Sequence, residues 1–236
     1  MRKAIAFVAV IALAALPVIG SDKDKAEDRL MDCGTAMHEI LNVPDNIPQN
    51  LLDKAECVIV MPSVLKVAFL GGGTYGRGAM TCRSGPRFEG PWGPPTMMAM
   101  EGGSIGFQAG ASATDLVLLV MNDRGARAIL ENKVKLGADA TAAAGPKGRT
   151  AEADTDTTMR AEVLSYSRSR GLFAGISLEG STLRPDEDAN AQLYGKMVRA
   201  RDLVLMNSMP APLAAKDLLD TLNQHSPRND SANKPK

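Results

Sequence analysis

Aromatic side chains are scarce in this chain, only 4% of 236 residues, with a single Trp. A core of ordinary size must therefore be built from Val, Leu, Ile, Ala and the 13 Met. Histidine is nearly missing, with only His38 and His225, and the three Cys have no Cys-x-x-Cys spacing. That leaves too few soft ligands for a zinc or redox-metal site, so neither a metal nor a cofactor is expected. Neither sign of charge dominates, since 27 Lys and Arg face 27 Asp and Glu. Generic binding of nucleic acid needs a strong basic excess, and no nucleic-acid partner is expected. Beyond the first twenty residues no apolar run is long enough to span a bilayer.

What is present begins with a leader. Arg2 and Lys3 precede an unbroken apolar run from Ala4 to Leu16, and Pro17 to Gly20 gives way to the polar Ser21-Asp-Lys-Asp-Lys25. Residues 1–20 read as a secretory signal peptide, with Gly20 before the cut. Its removal leaves 25 basic against 27 acidic residues, a net charge of −2. The mature chain is then expected outside the cytosol, periplasmic or extracellular, where a disulfide persists. Of Cys33, Cys57 and Cys82 at least one must stay unpaired within the chain; one bridge and three buried thiols are both open.

The remaining pattern runs from helices to strands and back to helices. Ala26, Leu30, Cys33, Met37, Ile40 and Leu41 recur at spacings of three and four, which predicts a helix over Lys25 to Leu41. A short helix is expected from Pro48 to Lys54. Strands are expected over Cys57–Met61, Val64–Leu70, the glycine-dense Gly71–Arg83, Thr96–Ala111, Asp115–Met121, Val134–Ala144, Ala161–Ser167 and Leu172–Leu183. Ala126–Glu131, Ala191–Ala200 and Ala214–Leu222 complete the helices, with a loop at Pro185–Asn190. The fold class is α+β: a glycine-rich, largely antiparallel sheet, open or barrel-like, flanked by N- and C-terminal helices. One domain is expected over residues 24–224, with 225–236 a disordered tail.

Two motifs suggest enzymes. Gly71-x-Gly73-x-x-Gly76 matches a dinucleotide fingerprint, but no helical stripe follows it to hold a pyrophosphate. Gly102-Gly-Ser104-Ile-Gly106 matches a nucleophile elbow, and a serine hydrolase at Ser104 would need His225 or His38 as base. Glu152, Asp154 and Asp156 lack the spacing of a calcium loop. The amphipathic first helix has a polar face of mixed sign, which favours packing on the sheet over lying on a membrane. Arg and Lys at glycine turns, by contrast, suit phosphate, Arg by its planar fork and Lys as a point charge.

Several segments in order resemble the SYLF family of lipid-binding domains. They are Ile47 to Pro62, the glycine strand Gly71–Arg83, Trp92-Gly-Pro-Pro95, Gly102 to Gly110 followed by Thr114-Asp115, Lys135 to Asp139 with Ala144-Gly-Pro146, and Tyr166-Ser-Arg-Ser-Arg-Gly-Leu-Phe-Ala-Gly-Ile-Ser-Leu-Glu-Gly180. The resemblance implies binding of phospholipid, phosphoinositide or phosphatidic-acid-like, and no enzymatic activity. An anionic membrane surface is thus the expected partner. The residues best suited to its phosphates are Lys147 and Arg149 beside Gly145-Pro146, and Arg168 and Arg170 before Gly171, followed by Arg77 and Arg83. The rival to this expectation is an envelope structural or stress protein that binds another protein or itself.

Overall fold

The computed structural model describes residues 21–69, 71–85, 87–104, 110–146, 160–169 and 172–231. The leader, Lys147, Arg149, Arg170 and the acidic cluster at 152–156 lie outside them.

Helix α1 (Asp22–Leu41) starts on a capping box. Ser21 Oγ accepts from the Asp24 N–H, and the Asp24 carboxylate accepts from the Ser21 N–H. The polar cap adds a turn that the apolar stripe does not mark. Ala26, Leu30, Cys33, Met37 and Ile40 are buried against the sheet, so the helix packs on the domain. Helix α2 (Gln49–Leu52) follows.

Strand β1 (Cys57–Phe69) is continuous where two apolar segments are expected. Pro62 interrupts the ladder and Ser63 takes φ 50°, so the register shifts there instead of the chain leaving the sheet. Strand β2 (Gly71–Cys82) pairs back on it. The expected strand region at 96–111 divides into β3 (Thr96–Ser104) and the start of β4 (Gly110–Val120). Helix α3 (Asp123–Glu131) comes next, capped by Asn122.

The expected strand 134–144 is two fragments, β5 (Val134–Lys135) and β6 (Ala142–Ala144). A turn at Gly137, φ 85°, separates them. Strands β7 (Val163–Ser169), β8 (Leu172–Gly175) and β9 (Thr182–Pro185) complete the sheet, with a turn at Gly180, φ 84°, before β9. The expected loop at Pro185–Asn190 instead opens helix α4 (Glu187–Tyr194), because Asp186 caps it through the Ala189 N–H. Helices α5 (Ala200–Met206) and α6 (Lys216–His225) follow.

The strand order is β5-β9-β3-β2-β1-β4-β7-β6, with β8 added beside β6 on the outer edge of β7. Every pairing is antiparallel except β6 with β7, and the sheet curls like half a barrel. The α+β expectation therefore holds. Helices α1, α4 and α6 cover one face over Val58, Val60, Val117 and Leu119. Helices α3 and α5 cover the other over Ile59, Met61, Leu116 and Leu118. Met61, Met80, Met97, Met98 and Met100 are all fully buried, filling the volume that aromatics would otherwise supply.

Cys57 and Cys82 stand directly opposite each other on β1 and β2 and form a disulfide. Cys33 stays a free, buried thiol, and burial pushes it up to about 12, so it remains protonated. The folded part also runs past residue 224. Ser226 and Asn229 are buried, and Asn229 Nδ2 donates to Glu56 Oε2 and to the Phe88 carbonyl, both at 2.7 Å. Hydrogen bonds hold these residues, not apolar burial, which is why composition marks them as tail.

Candidate functional site

Strand direction brings several connections to one end of the sheet. The described ends of β1 at Phe69, β3 at Ser104 and β7 at Ser169 all lie there, as do the starts of β2, β4 and β8. Strand β6 runs parallel to β7, so Gly145 and Pro146 lead toward the same end. Gly145 cannot carry a side chain: a Cβ would stand 2.1 Å from the Tyr166 ring. Pro146 and Ser169, the last described residues before positions 147 and 170, both lie toward this end. Leu172, first residue of β8, is 78% exposed at this end. Toward the same end Leu65 and Tyr75, directly opposed on β1 and β2, are 45% and 46% exposed.

The β1 register shift at Pro62–Ser63 aligns Arg77 on β2, Asp115 on β4 and Arg168 on β7 in one row. Three strand spacings separate the two arginines, about 14 Å. Both side chains lie on the α1 face. Asp115 accepts the Ser63 N–H at 2.9 Å and faces Arg168 Nη1 at 3.5 Å. Arg168 Nη1 also donates to Glu39 of α1, so its charge is offset by two carboxylates. Arg77 Nη1 is 3.5 Å from Asp186, and its Nε donates to the Tyr75 hydroxyl.

Arg83 is elsewhere. It follows β2 at the opposite end of the sheet and has no exposed surface. Its guanidinium lies 4.3 Å from the Trp92 ring centroid and donates to the Ala55 carbonyl and to the Ser226 carbonyl and hydroxyl. Burial lowers its pKa to about 10. This arginine is a structural pin and is withdrawn from the headgroup candidates.

A cleft between α1 and the β1–β2 hairpin holds residues that sequence reasoning missed. Arg29 lines it, half-buried, with no hydrogen bond or ion pair among the described residues. Asp186 lines its far side, buried, with Oδ1 engaged in the α4 cap and Oδ2 accepting no hydrogen bond. The one signal for Arg29 is its place four residues after Lys25 on the polar face of a capped helix. Asp186 carries the signal of an N-cap only. On the opposite face Lys66 is half-buried, and burial lowers its pKa.

The enzyme motifs lose their geometry. Gly71, Gly73 and Gly76 lie inside β2, not at a strand-to-helix turn. Ser104 ends β3 paired with Gly72 at the turn-bearing end, whereas His225 closes α6 beside Ser226, at the Arg83 end. His38 sits on α1 against Asn42. Among the described residues no group of three or more His, Cys, Asp or Glu could hold a metal ion, and no helix is long and apolar enough to cross a membrane.

The fold is that of an α+β domain with Leu65, Tyr75 and Leu172 exposed toward one end of its sheet. Residues 101–225 match the model of the Ysc84 family, described as "Las17-binding protein actin regulator". The chain belongs to this family, the SYLF family of the sequence resemblance. It is 37% identical over 184 residues to SH3 domain-containing YSC84-like protein 1 of Rattus norvegicus, covering 77% of this chain and 53% of the relative. The human counterpart is 35% identical over the same length, covering 77% of this chain and 52% of that protein. Protein YSC84 of Saccharomyces cerevisiae is 32% identical over 192 residues, covering 80% and 40%. The chain thus spans about half the length of the mammalian relatives it matches, or less in the yeast one. The family model is named for binding and regulation, and none of these printed names states an enzymatic reaction.

Proposed function

We propose that this chain is a non-catalytic module that docks on anionic phospholipid through the turn-bearing end of its sheet. Leu172 enters the interface while Arg170, Lys147 and Arg149 meet headgroup phosphate, with Arg168, which a phosphate would have to draw from Glu39 and Asp115, beside them and Arg77 on the flank. The observation that carries the reading is Leu172, 78% exposed directly after the Arg168-Ser-Arg170-Gly171 link. An apolar side chain beside cations suits an interface that is oily inside and anionic at its surface. We further propose that the mature chain works outside the cytosol, periplasmic or extracellular; the leader pattern and the Cys57–Cys82 bridge support this.

Vesicle co-sedimentation tests the docking. The chain should bind vesicles containing phosphatidylglycerol and leave neutral phosphatidylcholine largely unbound. A basic residue near an anionic surface is worth about 1 kcal/mol, so Arg168→Gln with Arg170→Gln should weaken binding roughly five- to thirtyfold and flatten its salt dependence. Leu172→Asp should weaken it without disturbing the fold. Equal binding to neutral and anionic vesicles sinks the charge-based mechanism.

A protein partner is the second reading. Met197, Met206 and Leu213 are exposed around α5 and before α6, and the family model's description names a bound protein. A pull-down with Met206→Asp and Leu213→Asp as controls separates the two.

A further inference from the structure

We propose that the cleft between α1 and the β1–β2 hairpin receives the headgroup of a single phospholipid whose phosphate carries a primary ammonium, the phosphoethanolamine class. This rests on the membrane-docking reading and adds a headgroup class to it. Two adjoining hollows of ≈ 410 and ≈ 250 Å³ share Lys25, Arg29 and Arg77 as a common wall. On one side of these cations lie Leu65 and Tyr75, exposed and apolar. On the other lie Asp186 and Asp188. Asp28 and Asp32 also line the first hollow, and Asp22 the second. From Leu65 and Tyr75 through the cations to Asp186 the side chains run apolar, basic, acidic, the order of acyl root, phosphodiester and ammonium along such a lipid.

One carboxylate oxygen without a hydrogen bond and one guanidinium without an acceptor among the described residues point to this ligand. Asp186 Oδ2 is buried and accepts no hydrogen bond, with Arg77 Nη1 beside it only as an ion-pair contact at 3.5 Å. A buried carboxylate oxygen gains most from a charged donor, and a primary ammonium brings three N–H groups. Arg29 is a guanidinium fork with no acceptor among the described residues, and a phosphodiester offers two oxygens to it. The walls of both hollows together hold three basic side chains against five Asp, a local balance of −2. That balance repels a polyanionic headgroup and admits a net-neutral zwitterion.

Trimethylation of the ammonium removes every N–H donor without changing the charge. Phosphatidylethanolamine and phosphatidylcholine therefore make the discriminating pair. At fixed phosphatidylglycerol content, replacing phosphatidylcholine by phosphatidylethanolamine should raise the affinity of the chain roughly tenfold, the worth of one charge-assisted hydrogen bond. Arg29→Gln, a surface change, and Asp186→Asn, which keeps a good helix cap, should each abolish that preference. Soluble glycerophosphoethanolamine should compete with the vesicles, and glycerophosphocholine should not. Absence of the preference in the natural chain, or its survival in both variants, overturns the proposal. So does calorimetric binding of glycerophosphoethanolamine with no preference on vesicles, which would mark a free solute as the ligand. Anionic binding with no ethanolamine preference defeats the pocket alone; an ethanolamine preference without any anionic preference defeats the surface-docking mechanism alone.

Discussion

At the scale of single residues, the same side-chain type takes opposite roles according to what surrounds it. Arg83 and Arg168 both follow β-rich sequence, yet one is sealed under Trp92 and the other sits at a hairpin entrance. Nothing local in the sequence separates them; the Ala55 and Ser226 carbonyls that receive Arg83 come from distant parts of the chain. Gly78 is a second case, and its requirement is steric. A Cβ there would lie 1.9 Å from the Val60 carbonyl oxygen and 2.8 Å from Met61 Cα, both backbone atoms that cannot rotate away. Gly78→Ala should destabilise the domain by about 3 kcal/mol or more, read as a lower midpoint in urea unfolding. An unchanged midpoint would mean that β1 and β2 separate freely at the register shift.

At the scale of elements, periodicity and caps explain most of what was legible. The α1 stripe, the continuous apolar run of β4 and the glycine strand β2 follow from local pattern. The failures share a cause. The pattern divides β1 in two around Pro62, a residue that ends most ladders, whereas a register shift carries the strand past it. Residues 134–144 have strand-like composition yet provide only two short edges, since the pairing partners β9 and β7 lie on opposite margins of the sheet. Pairing is a long-range property, and no window of ten residues contains it. The Cys57–Cys82 bridge ties the open base of the β1–β2 hairpin across 25 residues. Replacing both cysteines by Ala should cost about 3 kcal/mol through the freed unfolded chain. The check is chemical denaturation beside the reduced natural protein, which should behave alike; equal stability of the oxidised and replaced forms refutes the constraint.

For the whole molecule, the last described residues close the domain. Glu56 accepts from Asn229 Nδ2 and Ser231 Oγ at 2.7 Å, and Arg83 donates to Ser226. Burial outweighs those hydrogen bonds and holds the Glu56 carboxyl above its usual range. Its folded pKa therefore exceeds its unfolded one. The associated stability is fully present below the unfolded pKa, near about 4.3, and is lost as pH rises through the folded value. Glu56→Gln fixes a neutral side chain, so the thermal midpoint of the natural chain relative to this variant should be highest at pH 4 and fall by pH 7. A constant difference across that range would show that the carboxyl titrates alike in both states.

Composition and spacing decided the class of this protein: an aliphatic, methionine-filled α+β core and the ordered segments of one family. They could do so because periodicity, glycine density and residue type act over a few neighbouring positions. Which cations reach solvent, which cysteines join and where the last polar residues lie were decided by strand order and the curl of the sheet. Those depend on contacts between residues far apart in the chain, and the burial of Arg83 exists only once Ala55, Trp92 and Ser226 have come together around it.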